Sequence, residues 1–196
     1  MTRKMRALRA ADHAIALAAL CNLAYRRGLV MALAGNGSCR VGDGYLATPS
    51  GCCLGEVAAQ DLVRWAPGTG WGGAARRPTS EWALHAHIYS ALPDAHAVLH
   101  THSPHATALA VAGRSLPNLT PEIGAYLHPV PCLPFEPPGS DALGAGVAGA
   151  IAAGARAALL GGHGAVVWGA TIADAFYRGE LLEAACGLAI ALEPRR

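Results

Sequence analysis

Two histidines, His100 and His102, stand either side of one threonine at the end of an apolar run, Ala97-Val98-Leu99. A β-strand sends alternate side chains to the same face, so a strand over this run aims both imidazoles at one place. Two neutral imidazoles held side by side begin a metal site. Ser103-Pro104 follows, a serine N-cap and a proline at the first helical position, which sets the pair beside a helix N-terminus where an anion is also favoured. A divalent cation needs more donors than two, and His163 is the natural third ligand. It stands in Gly161-Gly162-His163-Gly164 between two apolar runs, where bare backbone can approach a site closely. Three imidazoles leave a coordination position open, the arrangement of a catalytic metal; nitrogen donors suit Zn2+, with Co2+, Mn2+ or Fe2+ as chemical substitutes. Any single histidine has a plainer reading as a buried polar residue with its hydrogen bonds satisfied. That reading is given to His85, His87, His96 and His105 as helix-face, loop or supporting residues, while His13 and His128 carry no signal.

A second chemistry-bearing stretch is Pro78-Thr79-Ser80-Glu81. It opens a helix to about Leu92 whose Trp82, His85, Tyr89 and Leu92 recur at spacings of three and four on one face. Thr79 or Ser80 caps it. The free N–H groups and positive dipole end of a first turn, with two hydroxyls beside them, suit a phosphate or carboxylate. Glu81 is the odd member there, a carboxylate whose company would be the bound ligand.

The elements that must position these residues alternate along the chain. Asp12 can cap a first helix ending near Gly28, and Gly35-Asn36-Gly37-Ser38 is a glycine-loosened polar stretch. Val41-Gly42-Asp43-Gly44-Tyr45 predicts a tight hairpin, with Tyr45 to Thr48 as its second strand, and Thr48-Pro49-Ser50-Gly51 closes it with a polar loop. Glu56 to Trp65 is a short helix or a helix and strand mixed, and Ala66 to Arg77 is a glycine-rich connection. Within it, Gly68-Thr69-Gly70-Trp71-Gly72-Gly73 fits GxGxxG, yet it neither follows a buried strand nor opens a helix, so it is read as a flexible loop. Pro104 to Ala112 is helical, and Leu116 to Pro138 is proline-rich with a short strand near Val130 to Leu133. Ser140 to Gly154 is a helix of small residues, Ala157 to Leu160 and Ala165 to Trp168 are apolar strands, and a last helix runs from Thr171, with Asp174 three residues on, to about Leu192.

Composition narrows the function classes. A chain of 196 residues, 53% hydrophobic and 14% charged, has the size of a single domain with a proper core, which excludes disorder. The net charge is +2 and the arginines are scattered, so no basic stripe for nucleic acid exists. Six cysteines form no CxxC pair, which suits reduced thiols and gives no zinc–thiolate site. Arg3, Lys4, Arg6 and Arg9 before Ala14 to Cys21 imitate a signal peptide, but Asp12 and His13 interrupt the pattern and a helical period continues towards Gly28. With no stretch suited to a membrane span, a soluble cytoplasmic protein is the expectation. The only lysine is Lys4, so a Schiff-base enzyme is excluded.

Pro-Thr-Ser-Glu at 78 to 81, His-Thr-His at 100 to 102, Gly-His-Gly at 162 to 164, Gly-Asn-Gly-Ser at 35 to 38 and Thr-Pro-Ser-Gly at 48 to 51 together resemble the class II aldolase and adducin head family, in order and over residues 12 to 192. The resemblance implies an αβα sandwich around a mixed, mostly antiparallel sheet, a homotetramer with active sites between subunits, and one divalent metal per subunit, usually zinc. It implies His100, His102 and His163 as ligands, Glu81 as acid/base, and Asn36, Ser50, Gly51, Thr79 and Ser80 as a phosphate cradle. The implied chemistry is a lyase reaction on a phosphorylated keto-sugar acid through a metal-stabilised enediolate. Residues 48 to 56, 116 to 122 and 131 to 139 are similar to the 3-oxo-tetronate 4-phosphate decarboxylase branch, which forms dihydroxyacetone phosphate and CO2. Aldolases of the fuculose-phosphate type use a tyrosine after the histidine strand and another in a C-terminal tail; Pro121 stands at the first place and the sequence stops at Arg196, so both departures favour decarboxylation. Against this, short or divergent stretches at 41 to 45, 68 to 73 and the C-terminus fit a redirected substrate. Aldol cleavage, epimerisation and dehydration are the alternatives, and an adducin-like assembly module is the non-enzyme one; retention of the three histidines with Glu81 argues against the last.

Overall fold

The computed structural model describes residues 3–72 and 76–193. Eight strands form one sheet in the order β4-β3-β2-β1-β5-β8-β7-β6. They are β1 (Asn36–Val41), β2 (Gly44–Ala47), β3 (Val63–Ala66), β4 (Gly70–Gly72), β5 (Ala97–Thr101), β6 (Cys132–Leu133), β7 (Ala157–Leu160) and β8 (Gly164–Gly169). Every pairing is antiparallel except β6 with β7, so the sheet is mixed and mostly antiparallel, as expected.

The central strands are apolar on both faces because both are covered. Val98, Leu160, Val166 and Trp168 pack with Leu84, Ile88 and Tyr89 of α2 (Trp82–Ala91) and Leu143 and Val147 of α5 (Asp141–Ala152). Their alternates Leu99, Leu159 and Val167 pack with residues of α1 (Arg3–Arg26), α3 (Pro104–Val111), α4 (Pro121–Tyr126) and α6 (Ile172–Ala191), among them Leu17, Leu109, Ile123 and Phe176. This is an αβα sandwich. Among the described residues no helix is long and apolar enough to cross a membrane.

Several local expectations change. α1 begins at Arg3, so Asp12 lies inside the helix and caps nothing. The segment from Glu56 resolves into a 3-10 turn, Ala59–Asp61, followed by β3. Part of the GxGxxG stretch is strand: Gly70–Gly72 pairs with β3, Trp71 opposite Trp65, because the backbone turns at Pro67 to Thr69 and the two indoles share a face; Gly73 is outside the described residues. The proline-rich segment holds α4, whose N-cap Thr120 accepts a hydrogen bond from the Ile123 N–H with Pro121 at the first helical position. Ser103 takes the N-cap position of α3, yet its hydroxyl makes no capping bond. Glu183 of α6 does that instead, accepting from the N–H groups of His105 and Ala106, both at 3.0 Å. A charged carboxylate at a helix N-terminus satisfies two orphan donors and complements the dipole.

Candidate metal centre

β5 delivers His100, and His102, the first residue past its end, keeps the alternation, with the His100 ring fully buried. β7 and β8 meet at Gly161 to His163, and this turn carries the third imidazole back over the end of β5. Gly164 is required there: a Cβ on it would press on the Thr101 carbonyl oxygen and lie 3.5 Å from both the His100 and His102 rings. The three ring centroids form a near-equilateral triangle with sides of 4.7, 4.7 and 4.9 Å.

Glu81 enters from the opposite layer. It is the N-cap residue of α2, and its Oε2 lies 3.5 Å from His100 Nε2 and its Oε1 3.7 Å from His163 Nε2. One donor atom from each of the four side chains lies within 4.8 Å of the other three. Burial and the neighbouring imidazoles hold His100 well below the usual imidazole range, and burial brings His163 down to about 4. These are therefore neutral rings at physiological pH, and their contacts with Glu81 are not ion pairs. Burial pushes the Glu81 carboxyl up to about 7, and a cation among the rings would draw it back down.

Two observations test whether a metal fits. Two side-chain atoms of the cluster, Glu81 Oε2 and His163 Nδ1, are buried without a hydrogen-bond partner among the described residues, a costly condition that an ion with its ligands can relieve. His100 Nδ1–H donates to the Ala165 carbonyl at 2.9 Å, which fixes the tautomer and leaves the Nε2 lone pair facing His102 Nε2, 2.9 Å away. Two imidazole nitrogens brought so close beside a carboxylate are a donor set for a divalent transition metal such as zinc.

The five phosphate candidates lie on adjoining backbone. Thr48 N–H donates to Gly37 O, and Thr79 N–H donates to Thr48 O, both at 2.9 Å, while Ser50 N–H donates to Arg77 O at 2.9 Å. The loops bearing Asn36, Ser50-Gly51 and Thr79-Ser80 thus run side by side. Asn36 and Thr79 are buried, whereas Ser50, Gly51 and Ser80 are exposed. Ser50 and Gly51 line a cavity of about 370 Å3 with Arg76 and Arg77. The first turn of α2 is less open than expected: Thr79 Oγ1 accepts from Glu81 N–H and Thr79 O from Trp82 N–H, both at 3.2 Å, and Glu81 rather than Thr79 or Ser80 is the N-cap.

His85 has the buried, hydrogen-bonded supporting role expected of it, and the structure adds its partners. It is fully buried, and its ring links Ser38 at Nδ1 to Asn36 at Nε2. Its place on the inward face of α2 follows from helical spacing, whereas its partners Ser38 and Asn36, 47 and 49 residues away, leave no local trace in the sequence. His87, His96 and His105 are outside the site; His87 pairs with Asp141 and His105 with Glu183.

The model of the class II aldolase and adducin N-terminal domain matches residues 15–190. The chain belongs to this family. Its sheet, its histidine cluster and the loops that flank Glu81 are thus a class II aldolase scaffold. A 3-oxo-tetronate 4-phosphate decarboxylase of Cupriavidus necator is 38% identical over 164 residues, covering 81% of this chain and 75% of that protein. An L-fuculose phosphate aldolase of Escherichia coli is 36% identical over 142 residues, covering 72% of this chain and 65% of that protein. The solved structure of YgbL from Escherichia coli superposes with a TM-score of 0.86 at 30% identity, covering 95% of this chain and 92% of that one.

Proposed function

We propose that this class II aldolase family member is a metal-dependent carbon–carbon lyase that decarboxylates a 3-oxo-tetronate 4-phosphate to dihydroxyacetone phosphate and CO2. The observation that carries the reading is the convergence of His100, His102 and His163 with Glu81, drawn from three separate parts of the chain. The decarboxylase relative, which matches over more of both chains than the aldolase does, supports the choice of bond.

In this reading the C1–C2 bond of the β-keto acid breaks, C1 leaves as CO2, the electron pair passes towards the C3 keto group, and C2 takes a proton. A divalent metal held by His100, His102 and His163, most simply Zn2+, would supply Lewis-acid stabilisation of the charge developing on the keto oxygen. Glu81 is the acid/base: its carboxylate oxygens lie 3.5 Å from His100 Nε2 and 3.7 Å from His163 Nε2, so it stands beside the reacting carbons of a substrate held there, placed to move a proton to C2. Asn36, Thr79, Ser80, Ser50 and Gly51 bind the phosphate through amide, hydroxyl and backbone donors, and so hold the reacting carbons near Glu81. A homotetramer with active sites between subunits, in the cytoplasm, belongs to the same reading.

Aldol cleavage is the second reading, favoured by the fuculose-phosphate relative: there the C3–C4 bond of a ketose 1-phosphate breaks, the C4 hydroxyl gives up its proton as the aldehyde leaves, and C3 takes a proton. At the position where such aldolases are expected to place a tyrosine, this chain has Pro121, the first residue of α4, which has no hydroxyl to offer. Supplying phosphorylated 3-oxo-tetronates and fuculose 1-phosphate in parallel separates the two. The expected result is CO2 from the former and no aldehyde from the latter; aldehyde release alone would overturn the decarboxylase assignment.

A further inference from the structure

A line of buried hydrogen bonds runs from the middle of α2 to the edge of the site. Tyr89 Oη lies 2.7 Å from Ser38 Oγ, Ser38 Oγ lies 2.7 Å from His85 Nδ1, and His85 Nε2 lies 2.6 Å from Asn36 Oδ1. Ser38, His85, Tyr89 and Asn36 are all buried, and Trp82 lies nearly parallel to the His85 ring at 6.0 Å, closing that side. Asn36 stands opposite His100 in the β1–β5 ladder, so its side chain is on the same face of the sheet, beside the histidine cluster.

Counting hydrogens gives this line a direction. If His85 carries its proton on Nε2, Tyr89 O–H donates to Ser38, Ser38 O–H donates to Nδ1, and Nε2–H donates to Asn36 Oδ1, so every hydrogen has an acceptor. If the proton sits on Nδ1, Ser38 accepts from it and then either turns its own hydrogen to Tyr89, leaving the Tyr89 hydrogen without an acceptor, or accepts from Tyr89 as well, leaving its own without one; among the described residues neither hydroxyl has a further partner. That arrangement pays the full cost of an unsatisfied buried donor. The first is therefore favoured, and it holds the Asn36 amide with oxygen towards His85 and the NH2 group towards the site.

We infer that His85 is a positioning residue: through the Tyr89–Ser38–His85 line it fixes the orientation of the Asn36 amide, so that Asn36 presents donor hydrogens and not its carbonyl oxygen to the substrate phosphate. The inference rests on the assignment of Asn36 to the phosphate cradle in the proposed function. A free asparagine amide can turn either face to an anion, and the wrong face repels it. A buried neutral imidazole with one defined N–H removes that freedom before the ligand arrives.

The test uses the metal-loaded protein and inorganic phosphate as probe, with binding measured by calorimetry. Asn36→Ala should weaken phosphate about tenfold, the worth of one hydrogen bond to a charged group. His85→Phe, which keeps a ring but no N–H, should weaken it by a similar factor with metal content unchanged, and the double variant should be no worse than Asn36→Ala alone. Additive losses, or an unimpaired His85→Phe beside an impaired Asn36→Ala, would overturn the positioning role while leaving the cradle intact. An unimpaired Asn36→Ala would overturn the cradle assignment and the inference with it. Nitrogen NMR of the wild-type His85 ring needs no variant: the Nε2–H tautomer is expected throughout the neutral range, and the Nδ1–H tautomer would overturn the inference. Ser38→Ala, milder in volume, should release that tautomer preference and weaken phosphate less than Asn36→Ala does; an unchanged tautomer would count against the line.

Discussion

Glu81 and His85 sit one helical turn apart on α2 and are perturbed by the same cause, burial, in opposite senses. Desolvation disfavours whichever form is charged, so the carboxyl is raised and the imidazole lowered, His85 to about 3. For Glu81 the expectation is that Glu81→Gln keeps its metal, measured by elemental analysis, while turnover falls by about 10²–10⁴-fold, because only proton transfer is removed. Loss of metal in that variant would instead make Glu81 a ligand. For His85 the consequence is on stability. Below the unfolded-state value of 6.5 the unfolded chain binds a proton that the folded protein refuses, so stability falls as pH drops from 6.5 towards 3. The slope is ~1.4 kcal/mol per pH unit for this group. Denaturant titrations of the metal-free protein should show His85→Phe with a slope shallower by about that amount between pH 6 and pH 4; equal slopes would mean the ring takes up its proton in the fold. These two residues also mark how far side chains could be read from sequence. Glu81 and the three histidines were legible because few chemistries want that set. His85 was legible only as a satisfied buried polar residue; that its partners are Ser38 and Asn36 was not, because they lie 47 and 49 residues away.

Elements were legible where period and punctuation agreed. The His100 strand, the hairpin within residues 41 to 45, whose turn falls at Gly42-Asp43, and the strands on either side of Gly161 to His163 lie where alternation and turn residues put them. β4 was hidden because a three-residue strand among glycines has no alternation to read; it exists by pairing Trp71 opposite Trp65 in the ladder and packing the Trp71 ring edge-on against Trp82 at 4.6 Å. α4 had its cue, threonine followed by proline and glutamate, lost among prolines that read as irregular chain. Asp12 was misread as a cap because the helix already begins at Arg3. Within this layer Gly164 joins fold to site, since β8 can lie against β5 only if residue 164 has no side chain. Gly164→Ala should therefore cost at least ~2 kcal/mol of stability and, by moving His163 from the other two rings, weaken metal binding more than tenfold. Denaturation and metal-competition titrations check both; metal affinity equal to wild type would show that β8 can shift without disturbing the cluster.

At the scale of the molecule, one sheet end collects everything. The start of β1 brings Asn36, the end of β5 brings His100 and His102, the β7–β8 turn brings His163, and α2 lowers Glu81 onto them from the covering layer. The antiparallel order makes this possible, because neighbouring strands contribute opposite ends of their sequence to the same edge. That long-range convergence could be inferred only from the joint motif pattern, since residues 36, 81, 100 and 163 carry no local trace of each other. The central claim is that His100, His102 and His163 hold a metal, with Glu81 beside it as acid/base, on which carbon–carbon bond breaking depends. Its most direct test is CO2 release from a phosphorylated 3-oxo-tetronate by wild-type protein before exhaustive chelation, after it, and after Zn2+ is restored. The account predicts activity lost with the metal and recovered with it in the wild type, with no recovery in His100→Ala or His163→Ala; full turnover by the chelated protein would contradict it.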